Sequence, residues 1–305
     1  MIVFGAAVTD QDIYDSCAKP GIDLASEPDS ENLTVESAGS IYRNYNLLFD
    51  QVKDRDDVEA LVLVHQDAEI VDPDFCSKVR EVLSNPEVAI AGGAGAIGVR
   101  SIAWWEGAVV WAAYTHKFME LGGGDVPAMS WRADEIPSYA RTGFVDMIDG
   151  FVMAFSPWAF RNLRFDESLG WLHGYDFDIC MQAREAGRKV AVADLRAIHH
   201  HSLELISDPE AWITAHMRLA EKWHGRVPDV GEGGGDWRYR ARRAEAEASA
   251  ARMVSAATEI LSQAQRQHLI EELRLTKSSP SWKVTKPLRG FAKLRDARRR
   301  RNGSS

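Results

Sequence analysis

Leu61-Val62-Leu63-Val64-His65-Gln66-Asp67 is an apolar run that turns polar in one step. The charged segment from Lys53 to Glu59 precedes it, so the four apolar residues read as a short buried strand. Polar residues that begin where a buried parallel strand ends stand at its carboxyl edge, which is where open α/β sheets bind ligands. A carboxylate there can hold a divalent cation, and the cation can hold a diphosphate.

Working outward, strand-like and helix-like patterns alternate. Ile2 to Val8 reads as a strand, and Asp10 to Ala18 as a helix capped by Thr9 or Asp10. Leu33 to Glu36 is a strand candidate. Ser40 to Val52 is helical, because Ile41, Tyr45, Leu48 and Val52 recur at intervals of three and four. Asp72-Pro73 opens a helix to about Leu83 with proline in its first turn, and Val88 to Ala91 is a strand. Asp146 to Ser156 returns to a strand pattern, Gly170 to Gly187 holds a loop and then a helix, Lys189 to Ala193 is a strand, and Asp208 to Trp223 closes with a helix. This order predicts an α/β fold with a mostly parallel central sheet and helices on both faces.

Other stretches break the alternation. Gly92 to Arg141 is dense in glycine and holds Trp104, Trp105, Trp111 and Trp131, which reads as mobile loops over the sheet edge. The run Gly92 to Gly98 contains G-x-G-x-x-G, but no helix and no suitably placed acid follow it. It is expected to be a loop and not a dinucleotide site. A glycine-rich linker around 231–235 leads to an Ala/Glu/Arg/Gln-rich exposed helix over about 239–275. The expected division is 1–228 as one large α/β domain, 229–275 as linker and helical extension, and 276–305 as a basic amphipathic tail.

The 305 residues allow one large domain plus an appendage. No apolar run approaches the roughly 20 residues of a membrane span, and the start lacks the basic n-region of a signal peptide. Cys17, Cys76 and Cys180 are widely spaced and form no metal-type pair, so buried thiols in a reducing, cytoplasmic compartment are expected. From Arg274 onward eleven basic residues face one acid, a balance of +10, which leaves −19 on the first 273 residues of a chain whose net charge is −9. An acidic body of that size repels phosphate backbones, so nucleic acid is not an expected partner. The basic tail, with Trp282, Val284, Leu288, Phe291 and Leu294, suits an anionic membrane surface at its cytoplasmic face; a solvated tail is the alternative.

Four segments are candidates to meet at one edge: His65-Gln66-Asp67, Asp149-Gly150, Trp171 to Asp178, and His199-His200-His201. With the order of Ser40–Asn46 (SIYRNYN), Leu61–Ile70 (LVLVHQDAEI), Ile148–Phe155 (IDGFVMAF) and Phe165–Val190 (FDESLGWLHGYDFDICMQAREAGRKV), roughly residues 1 to 225 resemble the GT-A fold glycosyltransferases of the family 2-like branch. Ser279–Arg289 (SPSWKVTKPLR) also resembles an element at the C-terminal ends of bacterial polysaccharide glycosyltransferases.

The resemblance implies a nucleotide-diphospho-sugar transferase fold and sugar transfer from a UDP-, GDP- or dTDP-linked donor to a glycan or lipid-linked acceptor. A Mn²⁺ or Mg²⁺ ion would assist, and cell-surface polysaccharide assembly would be the setting. Asp67 matches the last acid of the DxD pattern, the metal ligand, while His65 replaces the first acid and weakens the hold on a hard cation. Glu69 could support from behind. Asp176 matches the acid that serves as general base, Asp178 is its rival, and Tyr175 stands where the pattern has Glu. Both acids could instead serve the helix dipole.

Asp149 and Gly150 would line the donor, glycine's missing Cβ allowing close approach. Of the histidine triplet, His200 or His199 occupies the family-type position, and His200 is assigned to the metal. Trp171 and His173 are assigned to the acceptor, and Thr9 and Glu36, at strand ends, to base or ribose. Two rival functions remain at this stage. A nucleotidyltransferase would carry a Gly- or Lys-rich loop after the first strand, which Ala6 to Asp12 lacks. A non-catalytic binding protein on the same fold fits the altered DxD pattern.

Overall fold

The computed structural model describes residues 1–36, 38–97, 99, 102, 142–200, 208–224, 226 and 236–285, together with the backbone of four short strands between 108 and 140. Two compact units result, Met1–Ala257 and Thr258–Ser305.

The first unit is built on β1 (Ile2–Val8), β2 (Glu31–Glu36), β3 (Ala60–Val64), β4 (Ala68–Ile70), β5 (Val88–Gly92), β6 (Ala94–Ile97), β7 (Ala108–Trp111), β8 (Tyr114–Lys117), β9 (Asp125–Val126), β10 (Tyr139–Ala140), β11 (Gly143–Val145), β12 (Met147–Ile148), β13 (Val152–Phe155), β14 (Lys189–Val192) and β15 (Ala197–His199). Its helices are α1 (Gln11–Ser16), α2 (Ala18–Ala25), α3 (Ile41–Val52), α4 (Phe75–Leu83), α5 (Pro157–Asn162), α6 (Tyr175–Glu185) and α7 (Pro209–Lys222). A long helix, α8 (Asp236–Ser278), runs through the boundary residue, and α9 (Pro280–Val284) follows it in the second unit. Among the described residues no helix is long and apolar enough to cross a membrane. The tail residues 286–305 lie outside the described residues.

The central sheet has seven strands in the order β11-β14-β5-β13-β3-β1-β2. The pairs β1–β2, β1–β3 and β14–β5 are parallel, while β13 inserts antiparallel between β3 and β5. The predicted mostly parallel α/β sheet is therefore present, with one reversed strand, β13, in its middle and a second, β11, antiparallel to β14 at its edge. Alternation along β1 sorts the core. Val3 and Ala7 face α3, α5, α6 and α7 on one side. Ile2, Phe4, Ala6 and Val8 face α1, α2 and α4 on the other. A strand apolar at every position is what a sheet covered on both faces requires.

Local signals explain most boundaries. Ser40 caps α3 by accepting from Arg43 N, and Asp10 caps α1 by accepting from Ile13 N. Ser156 and Asp208 cap α5 and α7, each followed by proline in the first turn. Three expectations change. Pro73 lies two residues before α4, whose cap is Asp74. Asp146 to Ser156 is two strands in different sheets, β12 and β13, separated by Asp149-Gly150-Phe151. The run from Gly92 begins as strand, since Gly92 ends β5 and Gly95 sits inside β6. Its glycines serve close packing: a Cβ on Gly95 would collide with the Met147 carbonyl, and one on Gly92 with the Ile148 side chain. Gly122 to Gly124 and Trp104, Trp105 and Trp131 lie outside the described residues.

Candidate active site at the carboxyl edge of the sheet

The parallel pairings bring the ends of β1, β2 and β3 to one edge, since Val8 is in register with Glu36 and Gly5 with both Leu33 and Leu63. Because β13 runs the other way and Val152 pairs with Val64, the Asp149-Gly150-Phe151 turn falls on the same edge. The link is direct: His65 N donates to the Phe151 carbonyl at 2.9 Å. The Gln66 side chain closes the edge by accepting from Thr9 N at 2.8 Å and Asp10 N at 3.0 Å. Thr9 and Glu36 stand exposed at their strand ends, as their positions predict.

Asp67 is the centre of the site and is buried. The antiparallel pairing of β4 with β15 sets His199 opposite Ala68, which brings His199 Nε2 to 3.4 Å from Asp67 Oδ2. On the other side, His65 Nδ1 lies 3.8 Å from Asp67 Oδ1. These three side chains offer ligand atoms all within 4.8 Å of one another. Ligands at about 2.0–2.2 Å from a single ion stand roughly 3–4 Å apart, so the set fits a divalent cation. The protonation of Asp67 and His65 fits too. Burial pushes the Asp67 carboxyl up, but His199 and His65 outweigh it and bring it down to about 2. Burial holds the His65 imidazole down at about 4, against the pull of Asp67, so the ring is neutral and keeps a lone pair.

His200, assigned to the metal, does not join this group. Alternation along β15 turns Ala197 and His199 inward, and His200, one position on, pairs its Nε2 with Glu69 Oε2 at 2.8 Å. Glu69 is thus occupied by His200. The His199 ring stacks on Phe151, centroids 5.2 Å apart and planes 16° apart, which fixes it over Asp67.

The N-terminus of α6 meets this group from below. Gly174 precedes it with φ +83°, and a Cβ there would also collide with Leu219, so only glycine opens this helix. Asp176 Oδ2 accepts from Gly150 N at 3.2 Å, and Oδ1 from Phe177 N at 2.8 Å. Burial, and then the nearby Asp149 carboxylate, push the Asp176 carboxyl up to about 7. Burial also raises Asp149, against the pull of His199. A carboxyl poised near neutrality is suited to proton transfer.

Asp178 stands elsewhere. It is 0% exposed and is spent on Lys222 at 2.8 Å, Trp223 Nε1 at 2.8 Å and Gln182 Nε2 at 2.7 Å. Two positions along a helix point it away from Asp176, and its role is to tie α6 to α7. The acceptor candidates do not cluster tightly. Trp171 is 54% exposed, with its carbonyl accepting from Ile41 N at 2.9 Å. His173 gives its carbonyl to Tyr42 Oη at 2.7 Å, while its buried Nε2 has no hydrogen-bond partner among the described residues.

Gly150 also makes room for Tyr175, since a Cβ there would collide with the Tyr175 hydroxyl and ring. That hydroxyl is hydrogen-bonded to His65 Nε2. Sequence reasoning gave no role to Tyr175 or to the Gln66 side chain, and it offered His199 only as the alternative to His200 at the family-type position.

A family model described as glycosyltransferase like family matches residues 3–218. The streptomycin biosynthesis protein StrF of Streptomyces griseus is 26% identical over 206 residues, 66% of this chain and 67% of that protein. Among solved structures, GalNAc-T7 with UDP, GalNAc and Mn²⁺ is similar at TM-score 0.48 and 10% identity, covering 81% of this chain and 54% of that one. The mannosyltransferase PcManGT of Pyrobaculum calidifontis, in complex with GDP-Man and Mn²⁺, is similar at TM-score 0.46 and 10% identity, covering 95% and 84%. The family match begins in β1, takes in every segment that forms the site and ends in α7, and the chain belongs to the glycosyltransferase like family.

Proposed function

We propose that this edge transfers a sugar from a UDP-, GDP- or dTDP-linked donor to a hydroxyl of a glycan or lipid-linked saccharide, with inversion at the anomeric carbon. The observation that supports it most is the meeting of the His65, Asp67 and His199 group with Asp149, Gly150 and Asp176 at one sheet edge. His65, Asp67 and His199 would hold a divalent ion, Mn²⁺ suiting the two imidazoles better than Mg²⁺. When bound, such an ion supplies positive charge to a departing nucleoside diphosphate.

The protein's own groups account for the rest. Thr9 and Glu36 stand where base and ribose would lie along the edge, and Gln66 holds the ends of β1 and β3 together around them. Asp149 faces the donor sugar. Asp176 takes the proton from the acceptor hydroxyl as that oxygen attacks the anomeric carbon; its raised affinity for a proton makes it a better base than an ordinary aspartate. Trp171 offers an exposed aromatic face to the acceptor, with His173 beside it in sequence.

Cell-surface polysaccharide assembly at the cytoplasmic face of the membrane is the setting we infer, on the strength of the Ser279–Arg289 element and the basic tail. The test is turnover with a panel of nucleotide sugars and saccharide acceptors, on wild type and Asp176→Asn. Transfer to an inverted product, slowed about 10²–10⁴-fold in the variant with nucleotide binding retained, is expected. Binding without turnover for every donor would leave a non-catalytic nucleotide-binding protein.

A further inference from the structure

We propose that Tyr175 is a positioning residue that accepts a hydrogen bond from His65 Nε2–H, so that His65 presents Nδ1 to a metal ion and the site selects an imidazole-accepting transition ion over Mg²⁺. The inference rests on the metal-site reading above and deepens it.

Three observations carry it. First, the two nitrogens of His65 have different surroundings: Nε2 is hydrogen-bonded to the Tyr175 hydroxyl, while Nδ1 faces Asp67 Oδ1 at 3.8 Å. That separation is too long for a hydrogen bond and suits two ligands of one ion. A neutral imidazole can coordinate only through the nitrogen without a proton, so ligation at Nδ1 puts the proton on Nε2, where the Tyr175 oxygen receives it.

Second, Tyr175 is held in place from several sides. Its ring lies 6.1 Å from that of Tyr42, 5.6 Å from that of Tyr45 and 6.3 Å from that of Phe165, centroid to centroid. Its hydroxyl end fills the space that a Cβ on Gly150 would take. The orientation of His65 is therefore set by α3 and α6 packing, through Tyr175, and is not left to the imidazole's own rotamer.

Third, the donor set is two imidazoles and one carboxylate. Imidazole nitrogen favours Zn²⁺ and the later first-row ions, while Mg²⁺ prefers an all-oxygen shell with several waters. A site whose second imidazole is fixed by a neutral phenol carries less negative charge than one built of carboxylates alone, which further reduces its hold on Mg²⁺.

The experiment is direct titration of Zn²⁺, Mn²⁺ and Mg²⁺ into the full chain, without nucleotide, for wild type, Tyr175→Phe and Asp67→Ala. It is combined with the imidazole nitrogen NMR signals of His65 in the Zn²⁺-loaded wild type. Zn²⁺ is expected to bind more tightly than Mn²⁺, and Mn²⁺ more tightly than Mg²⁺. His65 is expected to show a protonated Nε2 and a coordinated Nδ1. Tyr175→Phe keeps the ring, removes the acceptor, and is expected to weaken Zn²⁺ binding about 10–100-fold. A coordinated Nε2 in the wild-type spectrum, or Tyr175→Phe binding as wild type, overturns the role of Tyr175 while leaving the metal site standing. No ion bound by wild type, or equal binding by Asp67→Ala, overturns the metal site and the inference with it. The wild-type spectrum decides even if a variant fails to fold.

Discussion

His199 Nε2 lies 3.4 Å from Asp67 Oδ2, although the two residues are separated by most of the catalytic unit's sequence. The pairing of β15 with β4 creates this approach, and it divides the histidine triplet into one inward ring and one that binds Glu69. His199→Ala is expected to weaken Mn²⁺-dependent nucleotide binding by more than the roughly 10–100-fold typical of a residue that only supports a ligand. His200→Ala is expected to stay close to wild type. Calorimetric titration of both variants checks the division.

The pH profile follows from Asp176. A general base acts deprotonated, and this carboxyl is raised to about 7 by burial and by Asp149. kcat/KM should therefore fall about tenfold per unit as pH drops below about 7 and level off above it. Asp149→Asn removes the second cause, so the inflection should move to lower pH. An inflection that stays in place in Asp149→Asn would separate the two carboxylates.

Asp178 should behave as a structural residue. Its carboxylate is fully buried and holds Lys222, Trp223 and Gln182 together. Asp178→Ala leaves the buried Trp223 indole N–H without its acceptor, while Lys222 keeps Asp166 and Gln182 keeps the Arg164 carbonyl, and should cost about 1–3 kcal/mol, as leaving a buried donor unsatisfied does. Denaturant unfolding measures the loss. Variant that remains folded at low temperature should retain proton-transfer chemistry, because Asp176 is untouched.

Gly150→Ala tests the packing behind the site. The added methyl collides with the Tyr175 hydroxyl, and overpacking of this kind costs about 1–3 kcal/mol. The midpoint of thermal unfolding should fall, and Zn²⁺ affinity should fall with it as Tyr175 moves off His65.

Strands with apolar residues at every position, such as β1 and β3, were legible because their composition admits no solvent face. Capped helices such as α3 were legible because Ser40 and the three-and-four spacing agree. Helix α2 was not, because the helix pattern from Asp10 was expected to end at Ala18 and Pro20 and Gly21 are poor helix formers. In the structure Pro20 falls within its first turn, and Gly21 packs so tightly on Ile70 that no Cβ fits. Asp67 was visible from its strand-end position, and Asp176 only from the resemblance, since a helix-start acid is equally expected to serve the dipole. The tie between His65 and Tyr175 was not, because the two are 110 residues apart and no local periodicity records a contact across the sheet edge. The choice between His200 and His199 went to His200 because a three-residue strand gives alternation too little length to declare its register.

The central claim is a metal-dependent nucleotide site centred on Asp67. Titration of UDP, GDP and dTDP, each with and without Mn²⁺, on wild type and Asp67→Ala tests it most directly. The account predicts that one nucleotide binds only with Mn²⁺ and that Asp67→Ala abolishes this binding. Failure of every nucleotide to bind the folded wild type, or equal binding by Asp67→Ala, would contradict it.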